Sequence, residues 1–329
     1  MKRVEEERRA REVWGESRAF MFALGISFLL SSTPGCFMIP SADSPLGKLA
    51  SPGVERAEGV ANTAANTANT ANTANTATTA NAAKVDVATQ PRKPLVVMLP
   101  GMGDRMGDFA EAGFIDPGVA RDFDVIAVDA HFGYYRERNL IPRLHEDIIE
   151  PARAAGYEQI WLLGISMGGF GSLLYASQYP DEIAGVILLS PFLGNPALIK
   201  EIEEAGGLRS WENNATDLDE EIDQVQLDLW NWLKRETASE NGTPVILGYG
   251  RGERMARAYG PLLQVLEPCR VFVRKGGHKW STWKPLWRQI SEELTFSSET
   301  NQPVRACTEA VSISGRDATH DAFGASGAH

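Results

Sequence analysis

The chain has 329 residues, with 32 Lys+Arg against 43 Asp+Glu and a net charge of −11. That balance argues against nucleic acid as a principal partner, because binding it requires a basic face that displaces counterions. The three cysteines, Cys36, Cys269 and Cys307, have neither metal-ligand spacing nor the pattern of a disulfide framework, and no metal site is expected.

Residues 1–36 read as an export signal. Ala19 to Leu30 is apolar or small throughout and Arg18 precedes it. The run is too short to span a bilayer as a helix but suits a signal-peptide apolar region. Gly35-Cys36 after it resembles a bacterial lipoprotein signal, in which Cys36 becomes the lipidated first residue. Thr33 stands where that pattern usually has Leu, and residues 1–18 carry six bases against five acids. The reading is an exported cell-envelope protein with membrane anchoring through Cys36. The alternative is a cytoplasmic protein with a disordered N-terminal extension.

Residues 37–93 read as a disordered linker. Positions 61–83 contain only Ala, Asn and Thr, which bury too little apolar surface to offset the entropy of ordering. At the other end, 297–329 is polar, small and aperiodic, and reads as a tail. Between them, 94–296 suffices for one well-buried core.

From Pro94 onward short apolar runs alternate with helical stretches, the pattern of parallel strands joined by crossover helices. The predicted strands are 95–99, 125–128, 160–163, 185–189, 245–247 and 271–273. Several are apolar at successive positions, as in a sheet covered on both faces. Predicted helices cover 138–155, 167–179, 253–266 and 283–294, with Pro180 and Pro268 closing two of them. The expectation is α/β architecture, a doubly wound, mostly parallel sheet of about six strands. Residues 195–243 form an insertion with helices at 196–205 and 218–234. Its 201–240 stretch holds 12 acids and 3 bases, the composition of a solvated helical face.

Gly164-Ile165-Ser166-Met167-Gly168-Gly169 lies between a predicted strand and a predicted helix. Gly-x-Ser-x-Gly in that setting is a nucleophile elbow, a turn so tight that its flanking residues must be Gly, with the Ser hydroxyl thrust above the sheet. Serine needs a base. Of the five histidines, His320 and His329 fall in the tail, and His145 in a charged helical segment reads as a surface residue. His131 follows a strand and reads as a pocket wall or structural hydrogen-bonder. His278, in Gly276-Gly277-His278 after the last strand, is the expected base. Glu253, on the loop after the 245–247 strand, is the expected acid, with Asp129 next in line; Arg251 and Arg254 offer Glu253 a surface pairing instead. The expected oxyanion donors are the backbone N–H groups of Met167 and Met102, the latter in Pro100-Gly101-Met102-Gly103-Asp104, with Gly101 or Gly103 if the register differs.

Taken in order, Leu99-Pro100-Gly101-Met102-Gly103, Gly164-Ile165-Ser166-Met167-Gly168-Gly169, Gly250-Arg251-Gly252-Glu253 and Gly277-His278 resemble the α/β-hydrolase superfamily over about 94–294. The resemblance implies a cofactor-free Ser–acid–His hydrolase, most often of carboxylic esters, with a small-molecule or lipid-like ester as substrate. It also implies a helical cap at 195–243, whereas the antiparallel strand pair that often opens the superfamily's sheet has no room before Pro94, so a sheet shortened at its N-terminal edge is expected. Many members have Asp where this chain has Glu253. Phe170, Tyr134, Tyr135, Trp280 and Trp283 could shape an acyl pocket or simply pack. The alternatives are a thioesterase, amidase or lipid-ester hydrolase with the same three residues, or a non-catalytic binding protein of the same fold.

Overall fold

Strands that are apolar at successive positions need cover on both faces, and the chain supplies it. The computed structural model describes residues 45–51, 54, 92–212 and 224–294. Seven strands form one sheet, β1 (Lys48–Ala50), β2 (Leu95–Leu99), β3 (Asp124–Val128), β4 (Ile160–Ile165), β5 (Gly185–Leu189), β6 (Val245–Gly250) and β7 (Val271–Arg274), in the order β1-β3-β2-β4-β5-β6-β7. All neighbours are parallel except β1 with β3.

Because strand side chains alternate between faces, each strand feeds two cores. Leu95, Val97, Leu162, Val186 and Leu247 join the core under one helical layer. Val96, Met98, Trp161, Leu163, Ile187 and Ile246 join the other. The helices are α1 (Met106–Glu111), α2 (Phe132–Arg136), α3 (Leu140–Leu144), α4 (Glu150–Ala154), α5 (Met167–Gln178), α6 (Pro196–Glu204), α7 (Gln224–Ala238), α8 (Gly260–Leu263) and α9 (Trp280–Glu293). On α9, Trp283, Leu286, Trp287 and Ile290 recur at helical spacing and are all buried in the second core.

Three sequence expectations change. The tract read as linker contains β1, which pairs with β3 at Lys48↔Val128, Leu49↔Ala127 and Ala50↔Ile126. Leu46 and Val54 flank it and are buried, and the Leu46 N–H donates to Asp147 Oδ2 at 2.8 Å. The sheet therefore has seven strands rather than about six, because three residues with no alternation carry no local strand signal and gain their order from the partner strand. The helix expected over 138–155 is interrupted by a π-type turn at His145–Ile149. The helix expected over 253–266 is a 3₁₀ stretch, Arg254–Tyr259, followed by α8.

The insertion at 195–243 supplies α6 and α7, and α7 packs against α5. Leu198, Ile202, Leu229, Trp230, Trp232 and Leu233 are fully buried in the same core as α5. Asn195 anchors this layer twice: its N–H donates to Gln226 Oε1 at 2.6 Å, and its side chain caps α6 through the Ala197 N–H at 2.8 Å. The signal-peptide region 1–36, the helix start at 218–223 and the tail 297–329 lie outside the described residues.

Candidate active site

The order β3-β2-β4-β5 places a reversal of winding between β2 and β4. The loop after β2 leads to α1 on one face, while the turn after β4 leads to α5 on the other. Loops that part in this way leave a crevice at the carboxyl ends of the strands.

Ser166 sits in that crevice with φ 52° and ψ −113°, a left-handed conformation that costs a non-glycine residue about 1–3 kcal/mol. The surroundings hold it there. Its N–H donates to the Leu189 carbonyl at 3.0 Å, and its carbonyl accepts from the Phe192 N–H at 2.8 Å. A Cβ on Gly164 would lie 2.2 Å from the Gly168 carbonyl oxygen, and one on Gly168 would lie 2.1 Å from the Leu99 carbonyl oxygen. The glycines thus let the turn close and let α5 press against the end of β2. Met167 is the first residue of α5, so its N–H is outside the helical ladder, at the positive end of the helix dipole.

His278 comes from the opposite side of the crevice. His278 Nε2 is 2.9 Å from Ser166 Oγ, and its Nδ1 is 3.4 Å from Glu253 Oε2. The first distance is a hydrogen bond; the second is longer than a full-strength hydrogen bond, and Glu253 Oε2 makes none. The imidazole is one-third exposed while the Glu253 side chain is fully buried. The two loops are sewn together by backbone, with Arg251 N–H donating to the Arg274 carbonyl and Gly252 N–H to the Gly276 carbonyl, both at 2.8 Å. Trp283 meets the His278 ring edge-to-face at 5.0 Å and donates from Nε1 to Ser190 Oγ at 2.9 Å.

The remaining expectations divide. Arg251 and Arg254 are exposed, while the Glu253 carboxylate turns inward. Asp129 is engaged by Arg105, whose Nε donates to Oδ1 at 2.6 Å. His131 caps α2 by accepting the Gly133 N–H at Nδ1, the structural alternative for that residue. His145 is not a free surface residue: its Nδ1 lies 2.9 Å from the Tyr175 hydroxyl, and its ring stacks on Tyr179 at 4.6 Å. Phe170, Tyr134 and Tyr135 are buried in the main core. Met102 is half-buried against that core on the loop whose Gly101 faces Ser166, since a Cβ there would lie 3.5 Å from Ser166 Cβ.

Two neighbours escaped the sequence reading. Tyr259, fully buried, donates its hydroxyl to Glu253 Oε1 at 2.8 Å; burial, then the Glu253 charge, push its phenol well above the usual range. Asp104 accepts from Trp280 Nε1 at 3.1 Å. Tyr259 is six residues from Glu253 and Asp104 lies within the quoted glycine loop, so proximity in sequence was the one available signal. Among the described residues no group of three or more His, Cys, Asp or Glu could hold a metal ion, and no helix is long and apolar enough to cross a membrane.

The sequence pattern described as alpha/beta hydrolase fold matches residues 94–227. The chain has the α/β-hydrolase fold. Similar solved structures include the esterase Est1E from Butyrivibrio proteoclasticus, at 16% identity and a TM-score of 0.44, covering 63% of this chain and 88% of that one. An S-formylglutathione hydrolase from Staphylococcus aureus is 14% identical with a TM-score of 0.44, covering 62% of this chain and 82% of that one. A monoacylglycerol lipase from Paleococcus ferrophilus is 20% identical with a TM-score of 0.39, covering 61% and 95%. No curated protein sequence matches the chain. The α/β-hydrolase match ends before Glu253 and His278, so their relation to Ser166 rests on geometry alone.

Proposed function

We propose that this α/β-hydrolase-fold protein cleaves carboxylic esters through an acyl-enzyme on Ser166. The observation that carries the reading is the chain of contacts from Ser166 Oγ to His278 Nε2 at 2.9 Å and from His278 Nδ1 to Glu253 at 3.4 Å. In this reading His278 takes the Ser166 proton as Oγ attacks the ester carbonyl, then gives it to the departing alcohol. A water, activated by the same imidazole, releases the acyl group. Buried Glu253 holds the imidazole tautomer and stabilises the imidazolium. The N–H groups of Met167 and Met102 receive the oxyanion, each typically worth about 3 kcal/mol in the transition state.

Hydrolysis of a short-chain aryl ester tests this. Wild-type turnover that disappears in Ser166→Ala supports it; turnover unchanged in that variant contradicts it. A panel of matched ester, thioester and amide substrates then ranks leaving groups, which these three residues do not themselves fix.

We further propose, from the apolar 19–30 run and Gly35-Cys36, that the domain is exported and anchored by lipid on Cys36. A diacylglyceryl group adds buried CH₂ at about 0.8 kcal/mol each, enough for stable anchoring. Cys36→Ser then moves the protein to the soluble fraction with its esterase activity intact. A wild-type chain that fractionates with cytoplasm and retains Met1 contradicts the proposal.

A further inference from the structure

Asp104 stands at the crevice with one oxygen unused. Its Oδ1 accepts from Trp280 Nε1 at 3.1 Å, and among the described residues no donor is directed at Oδ2. That oxygen lies near the nucleophile: a Cβ on Gly101 would lie 2.9 Å from Asp104 Oδ2 and 3.5 Å from Ser166 Cβ, so carboxylate and serine flank the same glycine. Nearby cations do not neutralise it. Arg105 is turned onto Asp129, and Lys279, next to His278, is exposed. The half-buried Trp280 ring is fixed by Phe109, Phe114 and Trp283, all edge-on at 5.3–5.5 Å. A carboxylate and an indole held rigidly together form the pair that recognises an organic cation, one by charge and the other by its π face.

The side of the crevice follows from the chemistry. The leaving oxygen must come within hydrogen-bond reach of His278 Nε2 to be protonated. Trp280 follows His278 by two residues, both rings meet Trp283 edge-to-face at 5.0–5.5 Å, and Asp104 accepts from Trp280. Asp104 and Trp280 therefore border the space into which the alcohol departs. We propose that they form a subsite for a positively charged alcohol, so that esters of amino alcohols or quaternary ammonium alcohols are preferred over neutral isosteres. This rests on the ester-hydrolase reading above. Two further observations agree with it. Burial pushes the Asp104 carboxyl above its ordinary range, with Trp280 and His278 pulling it partly back, so its charge is under-compensated and a cation relieves it. The chain's net charge of −11 also draws cations rather than anions toward the molecule.

The test uses the full chain and a matched pair, butyrylcholine and 3,3-dimethylbutyl butyrate, which differ in carbon for charged nitrogen. An aryl acetate runs alongside to report the hydrolase reading by itself. The proposal expects kcat/KM to favour the cation by about tenfold at low salt. The ratio should shrink as sodium chloride is raised and fall to near one in Asp104→Asn, whose side-chain oxygen can still accept from Trp280. The salt series needs no variant, so a folding defect in Asp104→Asn leaves the proposal testable. A wild-type ratio near one, a ratio unmoved by salt, or the full preference retained in Asp104→Asn overturns the subsite. So does cleavage of the aryl acetate without cleavage of the choline ester. If wild type cleaves none of the three, the hydrolase reading falls, and the subsite with it.

Discussion

The Ser166 half of the crevice and its Glu253–His278 half are built by opposite means. Around Ser166 everything is local. Gly164, Ser166 and Gly168 lie within five positions, and the strained φ of 52° is imposed by a strand and a helix that meet there. The Glu253–His278 half is assembled from loops 25 residues apart, stitched by two backbone hydrogen bonds between the β6 and β7 ends. It is buttressed by side chains that belong to no motif, Tyr259 beneath Glu253 and Trp283 against His278. A local device depends on a few residues with no tolerance; a distributed one has several supports, each worth less.

Substitutions that break one half at a time measure that difference. The largest effect belongs to Gly168→Val. With 2.1 Å between a Cβ there and the Leu99 carbonyl oxygen, the elbow cannot close, and soluble folded protein should be lost altogether, as read by yield and circular dichroism. A folded variant with wild-type activity would show that the elbow is not under steric control.

Glu253→Gln comes next. It keeps the shape of the buried side chain but removes its charge, so the fold should survive while kcat/KM falls by about 10³–10⁴-fold. Near-wild-type turnover would move the acid role elsewhere, with Asp129 the first alternative.

Tyr259→Phe should do far less. It strips one hydrogen bond from a buried carboxylate, at about 1.5–3 kcal/mol for a bond to a charged group. Activity should drop by roughly tenfold to a hundredfold, seen in kcat rather than KM, because Tyr259 acts through Glu253. Loss as large as in Glu253→Gln would mean that the phenol is a member of the site rather than a support.

Leu46→Ala sits outside both halves. Removing a buried leucine costs about 2–5 kcal/mol, so β1 should loosen and the melting temperature fall while kcat stays within a factor of two. A change in kcat without a change in stability would contradict a purely structural role for the edge strand.

The same contrast explains what could be read from the sequence. Ser166 was legible because Gly-x-Ser-x-Gly between a strand and a helix is a steric requirement written in consecutive letters. His278 and Glu253 were legible because they follow strand ends, and parallel strands bring those ends together. Tyr259 was not, since the 3₁₀ stretch that aims its hydroxyl at Glu253 reads in sequence as an ordinary helix. The π-type turn at His145–Ile149 was hidden for the same reason, and the His145–Tyr175 contact with it. Strand β1 was invisible because Lys48-Leu49-Ala50 has no pattern of its own; the pairing with β3 and the burial of Leu46 and Val54 supply its order.

The central claim is that His278, held by Glu253, activates Ser166. Its most direct measurement is the rate of covalent modification by a fluorophosphonate, followed by intact mass and by mapping the adduct. The account predicts one adduct, located on Ser166, absent in Ser166→Ala and formed at least about a hundredfold more slowly in His278→Ala, as expected when a general base is removed. No adduct on folded wild-type protein, or an undiminished rate in His278→Ala, would contradict it.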